Sequence, residues 1–367
     1  MLKGYATAED TRAYANRFTE FPGNYRAMLG LLAGSIGIGT YLGEYDDRTD
    51  RAYEEALRVA LSSGINLIDT AVNYRFQRSE RVVGKVLNEL VERGFKRGEF
   101  IVATKGGYVT FDREPPENPR EWFERNYLKP GIVSPGDMVE GSHCITPRYL
   151  EHMLETSRDN LGLETIDIYY LHNPETQLEA VGRDEFRARI RAAFDLLERK
   201  IKAGWLRLYG TATWNGYRVD VSNPAYLSLA ELIAIAKDVA GDDHHFRVIQ
   251  LPYNLAMAEA FTRHNQALPD GTKGSVLAAA DASGVAVCAS AALLQGRLSK
   301  GLPPILADAF GMTSDAQRAL QFVRSTPGVK VGLAGMSSVA HVHAALEVAR
   351  VPPAPFEALM KLFRPAD

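Results

Sequence analysis

The 367-residue sequence predicts an α/β protein folded as one (β/α)8 barrel. Three observations carry this reading. Eight short apolar runs alternate with longer helical patterns between residues 35 and 350. The runs are continuous rather than alternating, as strands covered on both faces are. No Pro/Ser-rich linker divides the units into two sheets, so a closed (β/α)8 TIM barrel with a long insert after strand 3 is favoured over two doubly wound sheets.

Taken in order, residues 1–34 form an N-terminal extension before the first strand. The strands are SIGIG (35–39), INLIDT (65–70), FIVATK (100–105), TIDIYYLH (165–172), WLRLYGTAT (205–213), FRVIQLPYN (246–254), VAVCASA (285–291) and VKVGLAGM (329–336). The clearest helical patterns cover 49–64, 79–94, 146–162, 184–204 and 338–350. Thr49, Ser79 and Thr146 are residue types that accept hydrogen bonds from a helix N-terminus, and Pro147 suits a first helical position. Gly64, Gly94, Gly162 and Gly204 fall where helices should stop. Residues 106–146 form a connection too long for a simple turn, and connections of that length are usually lids or binding loops. It carries Tyr108, Trp122, Phe123 and Tyr127, so it is expected to fold over the active-site mouth and line a pocket. Residues 351–367 form a C-terminal tail beyond the 35–350 barrel.

Bulk properties exclude several classes. A net charge of −3 gives no reason to expect nucleic acid or an anionic membrane as partner. The two cysteines, Cys144 and Cys288, have no metal or redox spacing and read as free thiols of a reducing compartment. No run of roughly 18 apolar residues suggests a membrane span. The N-terminus turns polar and acidic too early for a signal peptide, so the cytoplasm is the expected location. GDDHHF (241–246) has metal-ligand residue types but sits before strand 6, away from the mouth, and no metal is assigned to it. GSIGIG lacks the helix that a dinucleotide glycine motif needs after it.

The chemistry gathers at the C-terminal strand ends, where barrels of this kind carry their active sites. Strand 2 ends on Asp69, strand 3 on Lys105 and strand 4 on His172, and Tyr74 lies in the loop after strand 2. Each alone has a bland explanation: a cap, a surface charge, a core histidine, a packing ring. Together they form a coherent set. A free tyrosine titrates near pH 10, and a nearby ammonium lowers that value. A buried Lys105 needs a counter-ion, which Asp69 can supply. His172 can orient a carbonyl, and Tyr74 can protonate its oxygen. Side chains do not deliver hydride, so a nicotinamide cofactor is implied. Arg75 and Arg78, just past Tyr74, are either solvated charges or a preference for an anionic or polyhydroxylated substrate.

At these residues the sequence resembles the aldo-keto reductase family, over about residues 35–350. The matching pieces are GIGTYLG, GINLIDTAVNY with Ser79-Glu80, ATKGG, DIYYLHNP, VIQLPYN and the GMSS turn after strand 8. The resemblance implies that Asp69, Tyr74, Lys105 and His172 are the catalytic tetrad. It implies reduction of an aldehyde or ketone with NADP, NAD being possible, or oxidation of an alcohol or sugar in reverse. It further implies that Gly39, Thr40, Tyr41 and Asp69 line the nicotinamide ribose end. Gln250 would bind the carboxamide, Ser290 and Gln295 would face the pyrophosphate, and Ser337 and Ser338 the adenosine phosphate. Tyr41, Trp122 and Trp214 are the candidate substrate contacts.

The departures fall on cofactor positions. A Ser-Asn pair usual after strand 5 is Ala212-Thr213, and the aromatic residue that stacks on the nicotinamide is Ala289. The arginine that grips the 2′-phosphate is absent, with His341 nearby, and a Glu-Asn pair that reads adenine is Ala344-Ala345. Trp214 or Tyr253 could supply a stacking face. Two other readings remain beside a carbonyl reductase: epimerase or lyase chemistry with tightly held or no cofactor, and a non-catalytic, cofactor-sensing partner protein.

Overall fold

The computed structural model describes residues 1–363; the last four residues of the expected C-terminal tail lie outside the described residues. Eight parallel strands close into a barrel: β1 (Ile36–Gly39), β2 (Leu67–Asp69), β3 (Ile101–Gly106), β4 (Ile166–His172), β5 (Leu206–Ala212), β6 (Phe246–Pro252), β7 (Ala286–Ser290) and β8 (Val329–Gly335). Each corresponds to one expected apolar run, trimmed by up to three residues, except that β3 runs one residue further, to Gly106. Closure is made where Gly335 of β8 pairs with Gly39 of β1. The helices that cover the barrel are α1 (Asp47–Ser62), α2 (Arg78–Glu92), α3 (Pro147–Leu161), α4 (Arg183–Lys202), α5 (Leu229–Ala240), α6 (Val276–Ala282), α7 (Asp315–Ser325) and α8 (Val339–Ala349).

Two expected helix starts differ. Helix α1 begins earlier because Asp46 is the cap: its carboxylate accepts from the Thr49 amide at 2.7 Å. Ser79 is not a cap either. It lies inside α2, donates to the Thr40 carbonyl at 2.8 Å and accepts from Arg75 Nε, so its hydroxyl ties the end of β1 to the β2 loop. Thr146 precedes Pro147 at the start of α3 in extended conformation, without a side-chain cap bond.

The N-terminal extension is structured. A helix over Ala8–Ala15 leads to an antiparallel hairpin, Tyr25–Met28 with Leu31–Gly34. Leu29 and Gly30 both have positive φ, 54° and 85°, as a two-residue turn with the twist of a hairpin requires. Met28 and Ala33 pack against Leu67, Ile101, Ile168, Val248 and Val331 in the barrel interior. The hairpin therefore plugs the N-terminal end of the barrel and leaves the C-terminal end as the open one. A second, larger apolar layer lies between strands and helices, with Leu57, Val83, Leu154, Phe194 and Val323 among its fully buried members.

Candidate active site

The register of the barrel brings the strand ends together. Asp69 pairs with Gly39 and Ala103, and Lys105 pairs with Tyr170, two residues before His172. His172 pairs with Ala212, which also pairs with Gln250. Lys105 is fully buried, and its ammonium donates to Asp69 Oδ1 at 2.9 Å and Oδ2 at 2.8 Å, to the Thr70 carbonyl at 2.8 Å and to the Tyr74 hydroxyl at 3.1 Å. Gln250 Nε2 donates to the same Asp69 Oδ1 at 2.7 Å. A buried charge is thus paired and hydrogen-bonded on every side, the condition for tolerating it.

Electrostatics follow from that packing. Burial pulls the Lys105 pKa down, but Asp69, then Tyr74, outweigh it and hold it above the usual lysine value. Burial raises the Tyr74 pKa above 10, and Lys105 opposes this without cancelling it. The lysine's pull is in the expected direction, but the net shift is upward, so the phenol stays protonated at neutral pH. His172 is pushed well below the usual histidine value by burial, then by Lys105 and His143, and is neutral.

Tyr74 owes its place to an unusual turn. Arg75, Phe76 and Gln77 all have positive φ, 48°, 53° and 69°. Such a left-handed run costs roughly 1–2 kcal/mol per residue and needs support from its surroundings. Arg75 supplies it: its buried guanidinium bonds Ser79, Asp50 and the Glu44 carbonyl and lies 5.0 Å from the centre of the Tyr53 ring. Arg78 pairs with Asp47 and Asp50. Both arginines are spent on structure, so neither forms a substrate site for anions.

Tyr74, His172 and Asp69 line one end of a cavity of about 580 Å³. Gly39, Tyr41, Gln250, Ser290, Gln295, Ser337 and Trp214 also line it, as the sequence suggests. Four expected residues do not. Lys105 sits behind Tyr74. Thr40 is buried with its hydroxyl on Thr70 at 2.9 Å, supporting the strand end. Ser338 caps α8, its hydroxyl accepting from the His341 amide. Trp122 packs in an aromatic cluster with Phe111 and Tyr127, at ring distances of 5.1 and 5.5 Å, and is not a substrate contact in this arrangement. Tyr253 is likewise core, stacked on Phe322, whereas Trp214 lines the cavity.

The long insert meets the mouth through Tyr108 and His143. The Tyr108 ring stands edge-on to His172 at 5.1 Å and to His143 at 4.8 Å. His143 Nε2 lies 2.7 Å from the His172 carbonyl, and Gln177 Nε2 lies 2.9 Å from His143 Nδ1. With Gln177 donating to Nδ1, the proton sits on Nε2 and His143 donates to that carbonyl. Burial lowers the His143 pKa to about 4, which keeps it neutral and preserves this tautomer. Gly107 makes the approach possible, since a Cβ there would meet the His172 carbonyl at 2.9 Å and His143 Nε2 at 3.0 Å. Asn73, Asn173 and Glu175 were missed from sequence. The LHNPE stretch that ends β4 carries the last two, and a carboxylate just past a strand's C-terminal end is a signal that could have found Glu175.

Comparison with known proteins identifies the family and the fold. The aldo/keto reductase family matches residues 35–302. Aldo-keto reductase YhdN of Bacillus subtilis is 26% identical over 235 residues, 62% of this chain and 53% of that protein, so the match spans about half the length of that curated relative. Glycerol dehydrogenase of Gluconobacter oxydans superposes with a TM-score of 0.64 at 20% identity, covering 94% of this chain and 98% of that one. An aldo-keto reductase from Klebsiella pneumoniae in complex with NADPH gives 0.61 at 20% identity, covering 93% of each chain. The structural likenesses establish the barrel, and the family match runs from its first strand past its seventh; on that match, this chain belongs to the aldo/keto reductase family.

Proposed function

We propose that this protein reduces an aldehyde or ketone to an alcohol with NADP(H), or runs the reverse oxidation, and that Tyr74 is its acid and base. The observation that carries the reading is one buried ammonium, Lys105, bonded to both Asp69 and the Tyr74 hydroxyl beside a neutral His172. Tyr74 is 8% exposed, and that exposure faces the cavity. A protonated phenol there can give its proton to a carbonyl oxygen as it gains charge. The ammonium, 3.1 Å away, stabilises the phenolate left behind. A neutral imidazole can hold the same carbonyl oxygen by a hydrogen bond and orient it.

The cavity suits a dinucleotide in shape. It runs without a break from Tyr74 past Gln250 and Ser290 to Ser337 and His341, where α8 begins. The first-turn amides of a helix have no partners within it and favour phosphate. Ser290, Gln295 and Ser337 line the way, and Trp214 offers a flat face at the other end. A reduced nicotinamide bound here would supply the hydride, the chemistry no side chain supplies. Solved relatives from Klebsiella pneumoniae carry NADP or NADPH, which supports that assignment.

Tyr74→Phe removes one hydroxyl and should lower turnover with NADPH and 4-nitrobenzaldehyde by at least about 10²-fold, with unchanged thermal unfolding. Turnover equal to that of the parent protein would remove Tyr74 from the chemistry.

A further inference from the structure

His172 lacks one support that a working histidine commonly has. Such a ring is usually oriented by a hydrogen bond at its second nitrogen. His172 Nδ1 is buried and has no partner among the described residues. The next residue, Asn173, sits at a φ of 46°, a left-handed conformation that costs energy in a residue other than glycine. The ring and the peptide that follows it therefore need to be fixed from elsewhere.

The stem of the long insert reaches both. Tyr108 and His143 face each other across an antiparallel bridge. It is flanked by bonds from the Val109 amide to the Ser142 carbonyl at 2.8 Å and from the Cys144 amide to the Gly107 carbonyl at 2.7 Å. From one end of the insert, the Tyr108 ring stands against the His172 ring. Tyr108 is itself tied down, its carbonyl accepting from the Tyr149 hydroxyl at 2.7 Å and its hydroxyl from Asn173 Nδ2 at 3.1 Å. From the other end, the fully buried His143 meets the His172 carbonyl.

A chain of one-way groups orients His143. A guanidinium only donates, so Arg189, 2.6 Å from Gln177 Oε1, fixes which end of that amide is the oxygen. The NH2 end then faces His143, at 2.9 Å from Nδ1 and 3.2 Å from the main-chain carbonyl. Nδ1 accepts, so Nε2 carries the proton and aims it at the His172 carbonyl. His143, Gln177 and Arg189 do not line the cavity, so any effect they have on the chemistry passes through His172.

We infer that His143 is a positioning residue of the active site. Its bond to the His172 carbonyl, with Tyr108 packed on the ring, holds the His172 imidazole where it can meet a substrate oxygen. This rests on the proposed redox reading, in which His172 orients the carbonyl. The insert thus completes the site from behind, through its stem.

The test uses the full chain with NADPH and 4-nitrobenzaldehyde. His143→Phe keeps a ring beside Tyr108 but cannot donate, and should lower kcat by about tenfold, the scale of one lost buried hydrogen bond, with KM for NADPH unchanged. His143→Gln can both donate to the carbonyl and accept from Gln177, and should recover most of the lost kcat. A kcat in His143→Phe equal to the parent's, or a folded His143→Gln no better than His143→Phe, overturns the inference. Nitrogen NMR of the imidazoles reads the same arrangement without turnover. His143, assigned by its absence from His143→Phe, should show the proton on Nε2 across neutral pH, and a proton on Nδ1 overturns the inference. The His172 signal, assigned by its absence from His172→Asn, should move or broaden in His143→Phe, and an unmoved signal overturns the inference. If the parent protein reduces no carbonyl, the redox reading fails by itself and these signals decide whether His143 positions His172.

Discussion

Lys105 and Asp69 show how much one buried pair decides. Lys105 has no exposed surface and Asp69 is 5% exposed, so neither charge is stable there without the other. Lys105→Met should therefore cost about 3–5 kcal/mol of stability, the usual penalty for orphaning a buried charge. The double variant Asp69→Asn with Lys105→Met should recover much of that loss in denaturant titration. Additive losses would show that the pair is not coupled. The same substitution should move the pH profile. Lys105 lowers the Tyr74 pKa against the larger effect of burial, so its removal lifts that pKa further above 10. On the proposed mechanism alcohol oxidation needs the phenolate, so in residual activity its rise should shift to higher pH. An unmoved profile would take Lys105 out of the proton transfer. The strand-end acid, base and histidine were legible in sequence because a parallel barrel puts every strand end on one face. The net direction of the Tyr74 shift was not legible, because it depends on how completely the phenol is buried.

The loops that set the mouth were less legible than the strands. The eight apolar runs stood out because both of their faces are covered, and that leaves a continuous signal. The left-handed turn at Arg75–Gln77 left no such mark, since none of its residues is glycine. Thr49 and Ser79 resembled caps by type alone, but a cap is decided by which side chain meets the free amides, and Asp46 does so at α1. Trp122 resembled a pocket residue by type and packs instead with Phe111 and Tyr127. Glu175 was hidden because its partners are backbone amides of a distant loop. Burial raises its pKa above the usual 4.5, against the pull of its own amide and those at 214–216. The native state therefore keeps this proton to higher pH than the unfolded chain does. The sign follows: with more protons bound in the native state, stability falls as pH rises from near 4.5 through the raised native value. Glu175→Gln removes the charge and keeps an acceptor for the amides. The melting temperature of Glu175→Gln relative to the parent protein should therefore climb as pH increases through that window. A difference independent of pH would mean that the carboxylate is not desolvated as its contacts indicate.

At the scale of the whole molecule, the barrel has one plugged end and one open end, and the cavity joins Tyr74 to α8 across the open one. On the proposed placement of the cofactor, the far end of that cavity would decide which dinucleotide is preferred. It is lined by Ala316, Leu320, Ala344 and Ala345, with Gln317 already bonded to Ser314 and to the Ala344 carbonyl. His341 is the one basic side chain at that end among the described residues. Small apolar residues can pack against an adenine ring but do not read its edge. A 2′-phosphate would find amides and hydroxyls at the start of α8 but no bidentate guanidinium, the group best matched to it. Hydrogen bonds to charged groups contribute about 1.5–3 kcal/mol each, so one missing contact weakens NADPH by roughly 10- to 100-fold. NADH has no such phosphate and loses nothing there. The two cofactors should therefore bind with similar affinity in fluorescence titration. His341→Arg, at an exposed position in the first turn of α8, should restore a preference for NADPH of roughly 10- to 100-fold without changing NADH binding. A large NADPH preference in the parent protein would locate the phosphate on residues other than those at the start of α8. An unchanged ratio in His341→Arg would place the 2′-phosphate out of reach of that helix turn.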